Sequence, residues 1–355
     1  MDKKTKKLKI GIYNPYFDSL GGGERYVLTL AEHWSKIHDV SIFWDDPSIL
    51  SSAMDRFGLN LSRVKTTANV FGTRFLVRKL IESSKYDLIF FLSDGSVPMT
   101  MARQNIIHFQ VPFARIAMTP WKAAHYTSVV VNSEFTKQNL DKKISVPVTI
   151  IYPPVDVAVA NSTKKEKMIL SVGRFNALYG AKKQDVLIRA FIEMTKKKQT
   201  NGWKLVLAGG VLPTDEVYVH SLLEMAKGYA IEFEMNCPYK KLQSLYTKSS
   251  IYWHAAGYGE TDPTRMEHFG MTTVEAMGTG CIPIVYNAGG QPEIVKQGIN
   301  GYLWNTVNEL LDTTTMVMKE VDTKSIVSSA KQTASTFSKS IFNEKYDELL
   351  HSICK

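Results

Sequence analysis

A chain of 355 residues is too long for one ordinary hydrophobic core, and two domains are expected. Its apolar fraction of 44% and charged fraction of 22% exclude a disordered or fibrous polymer, and no apolar run reaches the roughly 18 residues that a membrane span needs. The formal net charge of +9 favours an anionic partner, whether nucleic acid, phosphate or membrane, and equally suits a solubilising surface.

The basic N-terminus "MDKKTKKLKI" is followed by no apolar stretch of the kind a secretory signal carries. Cys237, Cys281 and Cys354 are odd in number and far apart, without metal-ligand spacing. A reducing, cytoplasmic location is therefore expected.

In chain order, "LKIGIY" at 8–13 predicts a short buried strand. The loop "NPYFDSLGGG" and a helical pattern from Glu24 to Lys36 follow, with Gly21, Gly22 and Gly23 opening the helix so that backbone can approach a ligand. Further strands are expected at 40–44, 86–93, 104–110 and 128–133, the last ending at Ser133, a plausible N-cap. "TRFLVRKLIESSKYD" at 73–87 reads as a basic amphipathic helix. Alternating strands and helices argue for a parallel sheet covered on both faces.

The pattern breaks at "VTIIYPPVDV", 148–157, where paired prolines cannot continue a helix or central strand. The polar stretch "ANSTKKEK" follows, and the linker is placed here. Strands at 168–173, 203–210, 250–256 and 281–286 then alternate with helices. One of these carries Val186, Leu187, Ala190, Phe191 and Met194 on one face. "FSKSIFNEKYDELLHSICK" closes the chain as an amphipathic helix. The fold class is α/β, with two doubly wound, Rossmann-like halves. A ligand site belongs at the carboxyl ends of their strands, in the cleft between them.

The segment richest in chemistry is "HAAGYGETDPTRMEHFGMTTVEAMGTG" at 254–280. A helix starting near Thr272 or Thr273 and ending at Gly280 places Glu267 just before it and Glu275 inside its first turns. Both carboxylates then face the same cleft. The N–H groups of Gly270, Met271 and Thr272 at its positive end suit a phosphate, and a nearby carboxylate suits sugar or ribose hydroxyls. Thr272 to Glu275 also fits a capping box, in which Glu275 merely closes the helix. Asp45, Asp46 and Asp262 sit in "DDP" and "TDP" turns, which explain them better than metal binding does.

"EHFGMTTVEAMGTGCIPIV" resembles the E-x7-E signature of retaining glycosyltransferases of family 4, which have the GT-B fold. "GGGER", "IIHFQVP", "VVVNSEFT", "IYPPVD", "LSVGRF", "KKQDVLIRAF", "GGQPEIV" and "GINGYLW" agree in order along nearly the whole chain. The resemblance implies that Glu267 contacts donor-sugar hydroxyls and Glu275 the nucleotide ribose. It implies that Arg174 and Lys182, with Lys183 one position away, grip the diphosphate, and that His108 lies beside the donor sugar. Gly22 and Gly23 become phosphate or acceptor contacts, and Gly289 and Gly290 are expected to admit the ligand.

The implied domains are 1–155, an acceptor domain onto which the terminal helix at 340–355 packs back, and 156–339, a donor domain. The implied reaction moves a hexose from GDP-mannose or a UDP-sugar to a glycan or lipid-linked acceptor, with retention and without a metal or other cofactor. The loop "GYGETDPTRM" resembles a branch near mannosyltransferases of lipid-linked oligosaccharide synthesis. A phosphorylase or epimerase on the same fold, a catalytically dead partner subunit and a basic nucleic-acid binder are the alternatives. The last lacks any recognised motif. Lysines at 3, 4, 6, 7 and 9 with Arg74, Arg78 and Lys79 suggest peripheral attachment to the inner membrane face. A core-facing helix with a disordered tail is the opposing reading.

Overall fold

The computed structural model describes residues 6–156, 164–176, 182–319 and 323–354. The linker stretch at 157–163, together with Lys3 and Lys4, lies outside them. The chain divides into two compact units, Met1–Pro154 with Lys339–Lys355, and Val155–Ser338.

The first unit holds β1 (Lys9–Tyr13), β2 (Asp39–Phe43), β3 (Lys65–Thr67), β4 (Leu88–Ser93), β5 (Gln104–Phe109), β6 (Ser128–Val131) and β7 (Val148–Ile150). They form one parallel sheet in the order β3-β2-β1-β4-β5-β6-β7. Its helices are α1 (Gly22–Trp34), α2 (Ser48–Phe57), α3 (Leu76–Ser83), α4 (Pro120–Ala123) and α5 (Glu134–Asn139), the last capped by Ser133 as expected. The strand "LIFFLS" of β4 is buried at every position, as a central parallel strand covered on both faces must be.

The second unit holds β8 (Glu166–Val172), β9 (Lys204–Gly209), β10 (Ile231–Met235), β11 (Ser249–His254), β12 (Ile282–Tyr286) and β13 (Tyr302–Trp304). They form a parallel sheet in the order β10-β9-β8-β11-β12-β13. Helices α6 (Gln184–Lys196), α7 (Glu216–Ala226), α8 (Tyr239–Lys248), α9 (Met271–Gly278), α10 (Gln291–Ile294), α11 (Val307–Lys319) and α12 (Lys324–Ser335) accompany it. The predicted apolar face of α6 is buried: Val186, Leu187, Ala190, Phe191 and Met194 all lie in this unit's core.

In both sheets the chain winds outward in one direction, returns to the centre and winds out the other way. The reversal falls between β1 and β4 in the first sheet and between β8 and β11 in the second. Neighbouring crossovers leave opposite faces there, so the loops after the carboxyl ends diverge and open a crevice.

The last helix, α13 (Lys339–Ile353), packs on the first unit, burying Phe342, Tyr346 and Leu350. Tyr346 meets Trp34, Phe90 and Phe342 edge-on, and its hydroxyl lies 2.7 Å from that of Tyr26. Tyr26 in turn donates to the Ile151 carbonyl at 3.0 Å. Lys339–Glu32 and His33–Asp347 pairs flank this contact. Truncating a buried aromatic removes its burial energy and leaves a cavity. Tyr346→Ala should therefore destabilise this unit by about 3–5 kcal/mol in denaturant unfolding. Tyr346→Phe, which keeps the ring, should cost about 1 kcal/mol.

Candidate active site

The residues that matter converge on the β8/β11 reversal of the second unit. Strand β8 ends at Val172, and Gly173 and Arg174 follow. The chain there continues a ladder with the end of β9, Gly173 N–H donating to Ala208 and Phe175 N–H to Gly210. Only glycine fits at 209, because a Cβ there would sit 1.9 Å from the Gly173 carbonyl oxygen. Gln184, buried at the start of α6, donates to the Arg174 carbonyl at 3.0 Å and so fixes this turn. The Arg174 side chain is exposed and has no partner among the described residues.

The lysine pair is split by backbone conformation. Lys183, the N-cap of α6, adopts φ 55° and ψ 42°, a left-handed geometry that L-residues visit at a cost. Lys182 turns to Glu267, with Nζ 2.7 Å from Oε2, while Lys183 pairs with Glu260 at 2.6 Å. The Lys182 stem lies over Gly173, where a Cβ would meet Lys182 Cγ at 2.5 Å.

Glu267 is the hub. Its Oε2 also receives His254 Nε2 at 2.9 Å from the end of β11. Its side chain is 16% exposed, and Oε1 accepts nothing among the described residues. Burial alone would raise its pKa. The Lys182 charge and the His254 hydrogen bond outweigh burial and hold the carboxyl well below the usual range. The unfolded chain then binds more protons than the folded one at acid pH, so this pairing stabilises fully above about pH 4.5 and is lost as pH falls. Between about pH 3 and pH 5 the unfolding free energy should drop more steeply for the native protein than for Glu267→Gln. Parallel curves would show that Glu267 is not held as a paired carboxylate.

The geometry of His254 depends on Gln291. The Gln291 amide is fully buried, with Nε2 3.4 Å from His254 Nδ1. With Nδ1 accepting, the ring proton sits on Nε2 and points at Glu267. Sequence reasoning assigned neither residue a role.

Gly289 and Gly290, expected to admit a ligand, lie against the backbone of the Glu267 loop. A Cβ on Gly289 would lie 2.1 Å from the Glu267 carbonyl oxygen, and one on Gly290 2.6 Å from that of His268. Gly290 N–H donates to the Glu267 carbonyl at 2.8 Å. This loop is a brace that sets where Glu267 stands.

Helix α9 begins at Met271, one or two residues earlier than predicted, with Gly270 as N-cap (φ 120°) and no side-chain cap. A glycine cap cannot supply the side chain of a capping box, and Glu275 sits beyond N3. The capping reading of Glu275 therefore fails. Its carboxylate accepts the Tyr246 hydroxyl at 2.8 Å. Tyr252, buried on β11, donates to Thr272 Oγ1 at 2.7 Å and so ties the first turn of α9 to the sheet. The uncapped start, with Gly270, Met271 and Thr272, remains an anion-favouring end.

In the first unit, Gly21 caps α1, and Glu24 clamps the glycine loop by accepting from Gly21 N–H, Ser19 Oγ and Asn14 Nδ2 at 2.7, 2.7 and 3.0 Å. Gly22 is exposed, and a Cβ on Gly23 would lie 2.7 Å from Gln110 Oε1. His108, expected beside the donor sugar, keeps its Nε2 buried and without a hydrogen-bond partner among the described residues. It is fully buried, stacked on Tyr26 at 4.3 Å and bonded through Nδ1 to the Val130 carbonyl. Burial drives its pKa down to about 3, so the ring is neutral. Side chains alternate along β5, and position 108 points into the aromatic core beneath α1.

Asp46 and Asp262 accept from the backbone N–H of Ser48 and Thr264 two residues on, as turn chemistry requires, whereas Asp45 accepts from the N–H of Asn69, 24 positions away in sequence. Among the described residues no group of three or more His, Cys, Asp or Glu is arranged to hold a metal ion. No helix there is long and apolar enough to cross a membrane.

Two family profiles match consecutive stretches of the chain: Glycosyltransferase Family 4 over residues 20–159 and Glycosyl transferases group 1 over 155–317. The chain is similar to GDP-Man:Man(3)GlcNAc(2)-PP-Dol alpha-1,2-mannosyltransferases. It is 28% identical to that of Xenopus laevis over 59% of this chain and 43% of the relative, and 29% identical to that of Homo sapiens over 59% and 45%. It thus spans half or less of the length of the curated relatives it matches. Among solved structures, a glycosyltransferase from Rickettsia africae superposes with a TM-score of 0.77 at 16% identity, covering 99% of this chain and all of that one. Anabaena HepE in complex with UDP gives 0.72 at 17%, covering 98% and 100%. These likenesses show the fold, two Rossmann-like units of the GT-B class.

Proposed function

The chain belongs to glycosyltransferase family 4, and from that premise we propose that it transfers a hexose from a nucleoside diphosphate sugar to a glycan or lipid-linked acceptor. The observation that carries this reading is Glu267. One of its oxygens is locked by Lys182 and His254 and the other is free, at a strand-order reversal beside an uncapped helix start. A fixed carboxylate with one open oxygen is a receptor for a sugar hydroxyl.

Cleaving the bond between the sugar C1 and the phosphate oxygen leaves negative charge on the β-phosphate. Lys182, the unpartnered Arg174 and the first N–H groups of α9 supply positive potential that is in place before the bond breaks. Glu275, on the same helix, is the candidate for the nucleotide ribose. Reaction with retention follows if the acceptor oxygen attacks the face the diphosphate leaves and the departing phosphate oxygen takes its proton. We propose that this charge complement serves without a metal. The mannosyltransferase relatives favour GDP-mannose as donor and a lipid-linked oligosaccharide as acceptor.

The test is nucleotide release from a panel of guanosine, uridine and adenosine diphosphate sugars, run beside Glu267→Gln and Arg174→Ala. Release from one donor that both variants lose supports the reading and names the sugar. Analysis of the released sugar separates transfer from epimerisation. The absence of both binding and release across the panel would overturn it.

A further inference from the structure

The basic amphipathic segment at 73–87 reads from sequence either as a core-facing helix or as a membrane-facing one, and the structure decides against the core. Helix α3 buries only Ser83. Phe75, Val77 and Ile81 are 70%, 69% and 56% exposed, the reverse of a helix docked by its apolar stripe. With successive side chains about 100° apart, Val77, Arg78 and Ile81 fall opposite Ser83, on the outward side. Arg74 and Arg78 are exposed and have no carboxylate partner among the described residues. The one acid in the helix, Glu82, is already paired with Lys85 at 2.8 Å.

This face therefore offers apolar side chains flanked by unneutralised cations. A second copy of the chain would set like charge against like. Three apolar side chains also fall short of the roughly 1,200 Å² that a stable protein interface buries. Reversible membrane contact needs only a modest apolar anchor together with a basic patch, each cation near an anionic surface adding to the attraction.

We propose that α3 is a membrane-contact element. It seats the first unit on an anionic bilayer, with Phe75, Val77 and Ile81 entering the headgroup boundary and Arg74 and Arg78 meeting lipid phosphates. The docking stands on this surface alone; its purpose, delivery of the enzyme to a lipid-linked acceptor, rests on the reading above.

Flotation of the full chain with vesicles of phosphatidylcholine, with and without phosphatidylglycerol, tests it. The native protein should float with the anionic vesicles only, and less at high salt. Arg74→Gln with Arg78→Gln should lower the partition constant about 30-fold, equivalent to about 2 kcal/mol. Val77→Ser with Ile81→Ser should abolish flotation, while nucleotide release in lipid-free solution stays at the native rate for both variants. No flotation on anionic vesicles, or flotation indifferent to these substitutions, overturns the proposal. So does a fall in the lipid-free molecular mass of the Val77→Ser, Ile81→Ser protein, which would assign the face to self-association. Loss of donor turnover in the native protein would count against the transferase reading and leave the flotation result standing.

Discussion

Lys182→Ala should lower the turnover number for nucleotide release by about 10²–10³-fold, the cost of removing one preorganised charge from a developing anion. Lys183→Ala should cost far less. The two lysines are neighbours in sequence and alike in chemistry, so only their placement distinguishes them. The left-handed backbone at Lys183 sends its side chain to Glu260, at the base of the 257–266 loop, and leaves Lys182 alone on Glu267. Lys182 pairs with Glu267; on the proposed reading, a bound diphosphate would present the same cation with charge that grows as the bond breaks. Its loss should therefore appear in the turnover number more than in KM. Lys182→Arg should not restore the rate, because a forked, longer side chain cannot lie in the slot over Gly173. Stopped-time nucleotide release across the three variants settles the matter. A Lys183→Ala enzyme as impaired as Lys182→Ala would place the phosphate grip one residue along.

This pair also shows what could and could not be read from the sequence. The carboxylate spacing, the glycines and the lysine doublet were legible because they are local. Which lysine faces Glu267 was not, since it depends on one residue adopting φ 55°. His254, Glu267 and Gln291 are scattered over 37 positions and meet only because the crossovers from β11 to β12 and from β12 onward bring their ends to one crevice. The direction of the His108 ring was illegible for a related reason. Its motif fixes its position on β5, whereas the face it points to is set by the packing of Tyr26 and α13. Strands β3, β7 and β13, of three residues each, and β10, at a sheet edge, carry too little apolar pattern to be seen. Periodicity gave α3 two unlike faces but could not say which one the core would take.

Gly289→Ala is expected to remove about two orders of magnitude of turnover while leaving the chain folded, although residue 289 bears no functional group. Two effects must be separated. Gly289 has φ 65°, so any side chain there strains the backbone by about 1–2 kcal/mol. The added Cβ would also lie 2.1 Å from the Glu267 carbonyl oxygen, roughly 1 Å inside van der Waals contact. Backbone cannot swing aside as a side-chain tip can, so the Glu267 loop must move, and the Gly290 N–H to Glu267 hydrogen bond goes with it. A displacement of about 1 Å in a reacting constellation costs about 10²-fold. Gly298→Ala isolates the first effect. Its φ of 71° imposes the same strain, but nothing lies within 4 Å of the added Cβ. That variant should lose about 1 kcal/mol of stability and keep native turnover. If Gly289→Ala behaves like Gly298→Ala, the brace on Glu267 is unimportant. If it loses turnover at matched folded fraction, the position of the carboxylate, and not merely its presence, sets the rate.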